Sequence, residues 1–484
     1  MTIKDLNPSE VWNNFHLLTQ QPRPSKHEEK VRAFLLQWAS EHDVEAFTDE
    51  TGNVIMRIPA SEGYENRKGV ILQGHMDMVP QKNSDVTHDF EKDPIQTRIE
   101  GEWVKATGTT LGADNGLGVA MAMAVAQDKT LPHGPIEILV TYDEETGMTG
   151  ASALKGGVLK GDILINLDSE TEGELYVGCA GGLDFSARDS YTPVPATEGY
   201  TCWDLSVKGC QGGHSGMDII LCRANANRLA ARILHHIITK YGAGLSSLEG
   251  GSLRNAIPRE AFATVYLAPG TEKDVLKAVD GIAALIKKEY QATDPSMEII
   301  LEPGQGRPDC IPSEKAVSYV RAILACPDGV ERMSDSMPGL VETSNNLAMV
   351  KAGGGEFSLS CLMRSSVDSA KEALAARIES VFALAGISTE FSGGYSGWAP
   401  NADSPILHLM KDVYARMYGK EPLVMAIHAG LECGILSGAY PHWDMVSMGP
   451  TLLSPHSPDE RANIASVQKV WDFLKEVLKN IPQK

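Results

Sequence analysis

The sequence contains no run of 18 apolar residues, and its first residues, Met-Thr-Ile-Lys-Asp, do not begin an apolar secretion signal. These absences argue against membrane spanning and secretion, so we expect a cytoplasmic protein. None of the eight cysteines has Cys-x-x-Cys spacing, which argues against a thiolate metal site and favours reduced thiols. Low-complexity tracts and fixed-period repeats are also absent.

Positive charge is scarce, because 43 Lys and Arg stand against 63 Asp and Glu and give a net charge of −20. No basic patch or aromatic-interleaved Lys/Arg stripe offsets this charge, so nucleic-acid binding is disfavoured. Apolar residues, in contrast, make up 43% of a chain of 484 residues. That length exceeds what one core normally fills, and we expect two domains.

Several short apolar runs with β-branched residues are typical of buried parallel strands. They cover residues 69–74, 135–142, 162–167 and 443–448. These runs lead to metal-binding residue types, namely His75-Met76-Asp77, Asp143-Glu144-Glu145, Asp168 and, through Gly449-Pro450, His456. Because open α/β sheets bind ligands outside the carboxyl ends of their strands, we expect these side chains to share one mouth.

A further carboxylate, Asp114, lies in the glycine-rich segment 112–118, before an alanine-rich helix predicted from about Val119 to Ala126. Two histidines with four or five carboxylates are typical of a two-metal hydrolase, in which one carboxylate bridges ions roughly 3.5–4 Å apart. Asp114 is the natural bridge. Each piece alone has an ordinary explanation, such as a core histidine, a solvated acidic loop or a turn residue. The joint placement at predicted strand ends favours the metal site.

These motifs resemble those of the di-zinc metallopeptidases that include aminoacyl-histidine dipeptidases (carnosinase-like β-alanyl-histidine dipeptidases), peptidase V, peptidase T and aminoacylases. The resemblance covers essentially the whole chain and is carried by residues 75–80, 112–116, 143–147, 166–169 and 454–458. It implies two zinc ions, one held by His75, Asp114 and Asp168 and the other by Asp114, Glu145 and His456. The residues do not distinguish zinc from manganese or cobalt.

The resemblance also implies roles for residues beside the ions. Glu144 would be the general base that takes a proton from the metal-bridging water and returns it to the leaving amine. Asp77 would accept the free ring N–H of His75 and orient that ring. His214, in the Gly-Gly-His-Ser-Gly segment, would stabilise the oxyanion from a lid domain; in dimeric relatives it comes from the partner subunit. A turn histidine is the alternative interpretation.

Three positions resemble substrate-binding residues of the family. They are Asn255, Arg364 and Gly430, the last in the loop 429–434. A guanidinium can clamp a terminal carboxylate in a bidentate fork, which a dipeptidase needs and an endopeptidase does not. For Arg364, simple surface solvation is the open alternative.

The order of the candidate ligands decides the domain layout. Four segments precede residue 170 and the last is at 456, so the catalytic domain must be discontinuous. We predict a catalytic di-metal domain at 1–190 plus 397–484 and an inserted lid domain at 191–396. The predicted fold class is α/β, with a mixed, largely parallel sheet flanked by helices as in zinc exopeptidases, and an α+β lid.

Periodicity predicts several elements inside and before this insert. Strands are expected at 202–207 and 261–267, and amphipathic helices at 222–240, 272–289 and, after the insert, 461–481. Ser25-Lys26-His27-Glu28 matches a capping box that would open an amphipathic helix, a purely structural role. The insert is large, so it either forms a homodimer interface, which we expect, or replaces a partner within one chain.

We therefore expect a cytosolic zinc-dependent dipeptidase that cleaves Xaa-His dipeptides, such as β-alanyl-histidine, and other unblocked dipeptides. Its partners would be small dipeptides, with neither nucleic acid nor membrane. The alternatives are an aminoacylase acting on N-acyl amino acids or a tripeptidase with the same metal site. A non-catalytic binding scaffold is the alternative from another class.

Overall fold

The computed structural model describes residues 2–306 and 309–484, which divide into two compact units. The first unit contains Met1–Cys179, Trp398–Ala426 and Leu431–Lys484, and the second contains Ala180–Gly397 and Ile427–Gly430. The domain layout expected from the sequence, with 191–396 as the insert, stays a prediction, because compactness does not show that the parts fold separately.

The strands of the described residues were numbered in chain order. They are β1 (Glu45–Thr48), β2 (Val54–Ile58), β3 (Val70–His75), β4 (Thr97–Glu100), β5 (Trp103–Ala106), β6 (Ile136–Thr141), β7 (Ile163–Asn166), β8 (Glu174–Cys179), β9 (Gly181–Ser190), β10 (Val194–Pro195), β11 (Thr201–Lys208), β12 (Gly213–His214), β13 (Gly244–Gly250), β14 (Ala256–Ile257), β15 (Ala261–Leu267), β16 (Glu298–Pro303), β17 (Asp309–Cys310), β18 (Gly329–Met333), β19 (Val341–Gly353), β20 (Glu356–Ser365), β21 (Ser388–Tyr395), β22 (Leu423–Ile427), β23 (Asp444–Ser447), β24 (Leu452–Leu453) and β25 (Arg461–Asn463).

The α-helices were numbered in the same way, and two short 3₁₀ turns occur at Ile3–Asp5 and Ile219–Leu221. The helices are α1 (Ser9–Thr19), α2 (Glu29–Glu41), α3 (Ala113–Gln127), α4 (Glu144–Gly147), α5 (Thr149–Ala153), α6 (Ala226–Tyr241), α7 (Glu272–Glu289), α8 (Ser313–Ala325), α9 (Asp368–Leu384), α10 (Pro405–Tyr418), α11 (Glu432–Ala439) and α12 (Ile464–Asn480).

The first unit is built on a sheet with the strand order β1-β2-β6-β3-β7-β23-β8-β22. Its central strands β6, β3, β7 and β23 run parallel, whereas β1, β2 and β8 pair antiparallel with their neighbours. All residues of β3, β6 and β7 are buried, as expected for parallel strands with both faces covered. The predicted α/β class with a mixed sheet is confirmed, and the described parallel pairs join β6, β3, β7 and β23.

The second unit contains a sheet in the order β16-β11-β15-β13-β19-β20-β9-β21, with β18 paired to β19. Its described pairs are all antiparallel. Helix α6 packs on β11, β13, β15 and β19 and against α7 and α8, and α9 packs on β9, β20 and β21. The apolar faces of these helices and of the sheet form one core, consistent with an α+β unit.

One local prediction was wrong. The expected amphipathic helix is present as α2, but the capping box at 25–28 does not open it, because α2 begins at Glu29 with Glu28 as its N-cap residue. The Glu28 carboxylate accepts the backbone N–H of Lys26 instead. Among the described residues, every helix is too short or too polar to cross a lipid bilayer.

Candidate metal centre and catalytic groups

The carboxyl ends of the central parallel strands meet at one edge of the first unit's sheet. His75 is the last residue of β3, and Asp168 lies two residues beyond β7. Glu144 and Glu145 open α4, shortly after β6, and His456 lies in the loop between β24 and β25, which follow β23. Parallel pairing of β3 with β6 and β7 therefore carries residues from distant parts of the chain to the same edge.

Asp114 lies between the two histidines. Its Oδ1 is 3.1 Å from Nε2 of His75, and its Oδ2 is 3.1 Å from Nε2 of His456. The His75 Nε2 is also 3.5 Å from Asp168 Oδ1, and the His456 Nε2 is 3.0 Å from Glu145 Oε2. The shortest contacts therefore join His75 to Asp114 and Asp168, and His456 to Asp114 and Glu145. Ligand atoms of His75, Asp114 and Glu145 also lie within 4.8 Å of one another.

The donor atoms fit divalent ions. Two ligands bound about 2.0–2.2 Å from one ion lie roughly 3.0–3.5 Å apart, depending on the coordination angle. The observed donor separations of 3.0 to 3.5 Å fall in that range. In addition, Glu145 Oε1 is buried and has no hydrogen-bond partner within residues 2–306 and 309–484. Buried oxygens left without hydrogen bonds are suited to bind a cation.

The electrostatics of this group also favour a cation. Hydrogen bonds to Asp114 and Glu145 raise the pKa of His456 to about 11. Burial lowers the pKa of His75, but the charge of Asp168 and the hydrogen bonds to the carboxylates outweigh it, so the net pKa is well above its ordinary value. Burial raises the pKa of Asp168 to about 7. The raised pKa values of the two histidines show that the site carries excess negative charge. Bound divalent ions would neutralise this charge.

Asp77 joins the ring of His75 to the turn that carries the two glutamates. The Asp77 side chain is completely buried, and its Oδ1 lies 3.3 Å from His75 Nδ1. Its Oδ1 accepts the backbone N–H of Glu144 at 3.0 Å, and its Oδ2 accepts that of Glu145 at 3.2 Å. One carboxylate therefore lies beside the His75 ring and holds the backbone N–H groups of both glutamates.

Glu144 lies among other charged side chains of the candidate site. Burial raises the pKa of Glu144 well above its ordinary value, and the charges of Asp168 and Glu432 raise it further, while His75 opposes them. A carboxylate that binds a proton this readily can serve as a general base.

Two buried charged residues that the sequence analysis missed hold the loops that carry the ligands. Glu460 accepts the backbone N–H groups of residues 111–114, at 2.7 to 3.3 Å, and so fixes the turn of Asp114. Arg23 donates to the carbonyls of Met76, Asp77 and Gly112. Glu460 lies four residues after His456, the only sequence signal that could have singled it out.

Gly112, two residues before Asp114, has no room for a side chain. Gly112 has a φ of +69°, and a Cβ at this position would lie 2.6 Å from Arg23 Nη2 and 2.8 Å from Met78 Sδ. Only glycine adopts this left-handed conformation in such a crowded place without strain.

A further buried carboxylate missed from the sequence is Glu432, at the start of α11. It accepts hydrogen bonds from Gln73 Nε2 at 2.6 Å and from Thr141 Oγ1 at 2.7 Å, and burial raises its pKa to about 8. Gln73 and Thr141 belong to β3 and β6, so Glu432 joins the two strands that end beside the metal-binding residues.

The remaining predicted residues lie in the second unit. Nδ1 of His214 accepts the backbone N–H groups of Gly216 at 3.2 Å and Met217 at 3.1 Å. The neutral ring therefore carries its proton on Nε2. Burial and the charge of Arg364 lower the pKa of His214, which keeps the ring neutral near pH 7. The ring is thus prepared to donate one hydrogen bond from Nε2.

Arg364 lies at the end of β20 and is 6% exposed, so it is not a surface-solvated side chain. Its Nε is 3.4 Å from Ser215 Oγ and its Nη1 is 3.4 Å from Tyr395 Oη. Asn255 is exposed, and its carbonyl accepts the N–H of Ser215 at 2.8 Å. The second unit therefore brings His214, Asn255 and Arg364 together around Ser215.

Gly430 is half-buried in the segment Ile427–Gly430, which also carries His428, a residue the sequence analysis missed. Nε2 of His428 lies 2.7 Å from Ser344 Oγ, and burial together with Arg364 lowers its pKa to about 3. A Cβ on Gly216 would lie 2.1 Å from the His428 carbonyl oxygen, so this segment packs against the His214 turn.

Residues 71–480 match the sequence profile of peptidase family M20/M25/M40. The chain belongs to this family. The family membership inferred from the motifs is therefore confirmed, and with it the prediction that the chain is a peptidase rather than a binding scaffold.

Two relatives match the chain over its whole length. The chain is 45% identical over 483 residues to the cytosol non-specific dipeptidase of Escherichia coli (strain K12), covering 100% of this chain and 99% of the relative. It is also 45% identical in sequence to the aminoacylhistidine dipeptidase from Vibrio alginolyticus. The crystal structure of that protein matches with a TM-score of 0.96, covering 100% of this chain and 99% of that chain.

A more distant structure, the aminopeptidase PepT from Bacillus cereus ATCC 10987, has 17% identity and a TM-score of 0.57. Coverage is 98% of this chain and 99% of that structure. This likeness shows that the chain has the same fold as PepT.

Proposed function

We propose that this M20 peptidase is a cytoplasmic zinc-dependent dipeptidase that hydrolyses unblocked dipeptides, including Xaa-His dipeptides such as β-alanyl-histidine. The observation that carries the proposal is the position of Asp114 between His75 and His456, in a chain whose full-length relatives are named as dipeptidases. The cytoplasmic location rests on the name of the Escherichia coli relative.

In this proposal His75, Asp114 and Asp168 hold one zinc ion, and Asp114, Glu145 and His456 hold the other. When bound, the ions supply Lewis acidity toward the scissile carbonyl and make water a stronger nucleophile at neutral pH. Asp77 keeps the His75 ring in one orientation through the 3.3 Å contact with its Nδ1.

Glu144 moves the protons of the reaction. It accepts a proton from the attacking water and later donates it to the nitrogen of the leaving amino acid, so that one peptide bond and one water become two amino acids. The N–H contact with Asp77 at 3.0 Å holds the Glu144 backbone, and the raised pKa helps the carboxylate to retain the proton between the two steps.

Residues of the second unit would recognise the rest of the substrate. His214 donates from Nε2 to the carbonyl oxygen as negative charge develops there. Arg364 pairs with the terminal carboxylate, and Asn255 and Gly430 contact the same end of the dipeptide. We propose that the chain acts as a homodimer through this unit, in which His214 serves either its own subunit or the partner.

A substrate panel tests the proposal. It contains β-alanyl-histidine, glycyl-histidine, glycyl-leucine, a tripeptide and an N-acetyl amino acid, each assayed after chelation and again after zinc is restored. We expect zinc-dependent hydrolysis confined to the unblocked dipeptides and fastest for those ending in histidine. Preference for the acetylated substrate would show that the enzyme is an aminoacylase. Preference for the tripeptide would show that it is a tripeptidase.

A further inference from the structure

Glu28 lies in a buried cluster of three carboxylates in the first unit. It is fully buried, as is Asp77, and Asp143 is 3% exposed. One carboxylate oxygen from each of the three residues lies within 4.8 Å of the others. Three negative charges this close together in a water-excluded place repel each other strongly, so one of them must be neutralised.

The hydrogen bonds of the cluster indicate which carboxyl group is neutral. Both oxygens of Asp77 accept backbone N–H groups, and both oxygens of Asp143 accept threonine hydroxyls. Oε1 of Glu28 accepts the N–H of Lys26 at 2.8 Å. Oε2 of Glu28 is buried and accepts no hydrogen bond from any residue that the structure describes.

A carboxyl group that has one oxygen without a donor and lies beside two other carboxylates is the position expected for a proton. A protonated carboxyl oxygen needs an acceptor, and each oxygen of Asp77 and Asp143 can accept a second hydrogen bond. A hard cation would instead require about six oxygen ligands, whereas this cluster consists of three carboxylates.

We propose that Glu28 is an uncharged carboxylic acid that donates a hydrogen bond from Oε2 to the Asp77–Asp143 pair and thereby positions Asp77. Burial raises the pKa of Glu28 to about 7, and the charges of Asp77 and Asp143 act in the same direction. The inference deepens the proposed function, because Asp77 in turn contacts Nδ1 of His75 and holds the N–H groups of Glu144 and Glu145.

Glu28 is a positioning residue, since it acts on the metal centre only through Asp77. Without its hydrogen bond, Asp77 would face Asp143 with no proton between them. The two carboxylates would move apart, and the His75 ring and the Glu144–Glu145 turn would lose their common anchor. Partners of ligand side chains of this kind typically change metal affinity by about 10–100-fold.

Two substitutions at position 28 separate the hydrogen bond from the volume of the side chain. Glu28→Gln keeps an acceptor for the Lys26 N–H and a donor toward the carboxylates, without a charge. Glu28→Met fills similar space with neither. Glu29, the exposed neighbour on α2, provides matched controls as Glu29→Gln and Glu29→Met.

The first readout is the zinc affinity of each variant, measured by competition with a chelator. We expect Glu28→Gln to stay within about 3-fold of the wild type and Glu28→Met to lose at least 10-fold, with both controls unchanged. Equal losses in the glutamine and methionine variants, an unfolded Glu28→Gln or an unaltered Glu28→Met would each overturn the proposal.

The second readout is the infrared difference spectrum of the metal-free wild type minus Glu28→Gln at pH 6. We expect a band from a protonated carboxyl group that is absent from the variant. Absence of this band, or the loss of one bound metal ion from Glu28→Gln, would overturn the proposal and in the second case indicate a cation site. Neither readout uses catalysis, so a failure of the dipeptidase assignment is distinguishable from a failure of this inference.

Discussion

Oδ2 of Asp114 lies 3.1 Å from Nε2 of His456, a residue 342 positions later in the chain. Oδ1 of Asp114 lies 3.1 Å from Nε2 of His75. A single carboxylate that faces one histidine with each oxygen is the arrangement expected of a ligand shared by two ions.

Replacing the shared carboxylate should remove both ions. Asp114→Asn leaves one neutral oxygen acceptor where two charged oxygens are needed, so we expect weaker zinc binding and a loss of turnover by at least about 10³-fold. Asp85→Asn, at an exposed position, is the control and should have no effect. Zinc content and dipeptide hydrolysis are measured on folded protein. Full zinc occupancy in Asp114→Asn would contradict the shared-ligand role.

The adjacent glutamates should respond differently to the same substitution. Glu144→Gln should retain zinc and lose turnover by about 10²–10⁴-fold, because only the proton transfer is removed. Glu145→Gln should lose metal, because its Oε2 lies 3.0 Å from His456 Nε2 among the ligands. Metal analysis beside single-turnover assays separates the two effects. Loss of zinc from Glu144→Gln, or near-normal turnover, would refute the division of roles.

The His214 ring should affect the rate more than substrate binding. Its Nδ1 accepts two backbone N–H groups, so only Nε2 can donate to a developing oxyanion. We expect His214→Ala to lower kcat by about 10²–10³-fold with little change in KM. His236, a half-buried histidine of α6, is the matched control as His236→Ala. A rise in KM alone would move His214 to the substrate-binding residues.

Arg364 should determine the requirement for a free carboxyl terminus. Arg364→Met should raise KM for glycyl-histidine by about 10–100-fold, because a buried charge pair with the substrate is lost. The KM for the corresponding C-terminal amide should change little. Circular dichroism checks that the variant folds, since Arg364 is 6% exposed. An equal rise of KM for acid and amide would show that Arg364 does not read the carboxylate.

The stability of the metal-free protein should depend on pH through Glu28. Its pKa is raised from 4.5 to about 7, so the folded protein binds this proton more tightly than the unfolded chain does. The contribution is complete below pH 4.5 and is lost as the pH rises through 7.

Glu28→Gln has no such proton, and its unfolding temperature relative to the wild type should therefore rise between pH 5 and pH 8. The full effect corresponds to up to about 3 kcal/mol. Thermal unfolding followed by circular dichroism measures it, with Glu29→Gln as the control. A difference that does not vary with pH would show that Glu28 is ionised throughout.

The candidate metal-binding residues, which the structure brings to one edge of the sheet, could be picked out from the sequence because strand periodicity is local. His75, Asp168 and His456 follow apolar runs whose carboxyl ends must meet in a parallel sheet. Glu460, Arg23 and Glu28 could not be located in this way. Charged residues are almost always exposed, and their burial here is produced by contacts with chain segments that are distant in sequence.

The Ser-x-x-Glu pattern at 25–28 also shows that a local motif does not predict contacts with distant parts of the chain. The pattern is compatible with a capping box, yet the helix starts at Glu29 and the Glu28 carboxylate lies beside Asp77 and Asp143. The partners of Glu28 lie 49 and 115 residues away in the numbering of the chain. No local propensity encodes such a contact, which depends on the packing of α2 near the strand ends.

The most direct test is a zinc titration of the metal-free enzyme, followed at each step by hydrolysis of β-alanyl-histidine and glycyl-histidine. We expect two equivalents of zinc to bind per chain, full activity to require both, and Asp114→Asn to bind neither tightly. Saturation at one equivalent with full activity, or two bound ions without cleavage of any unblocked dipeptide, would contradict this expectation.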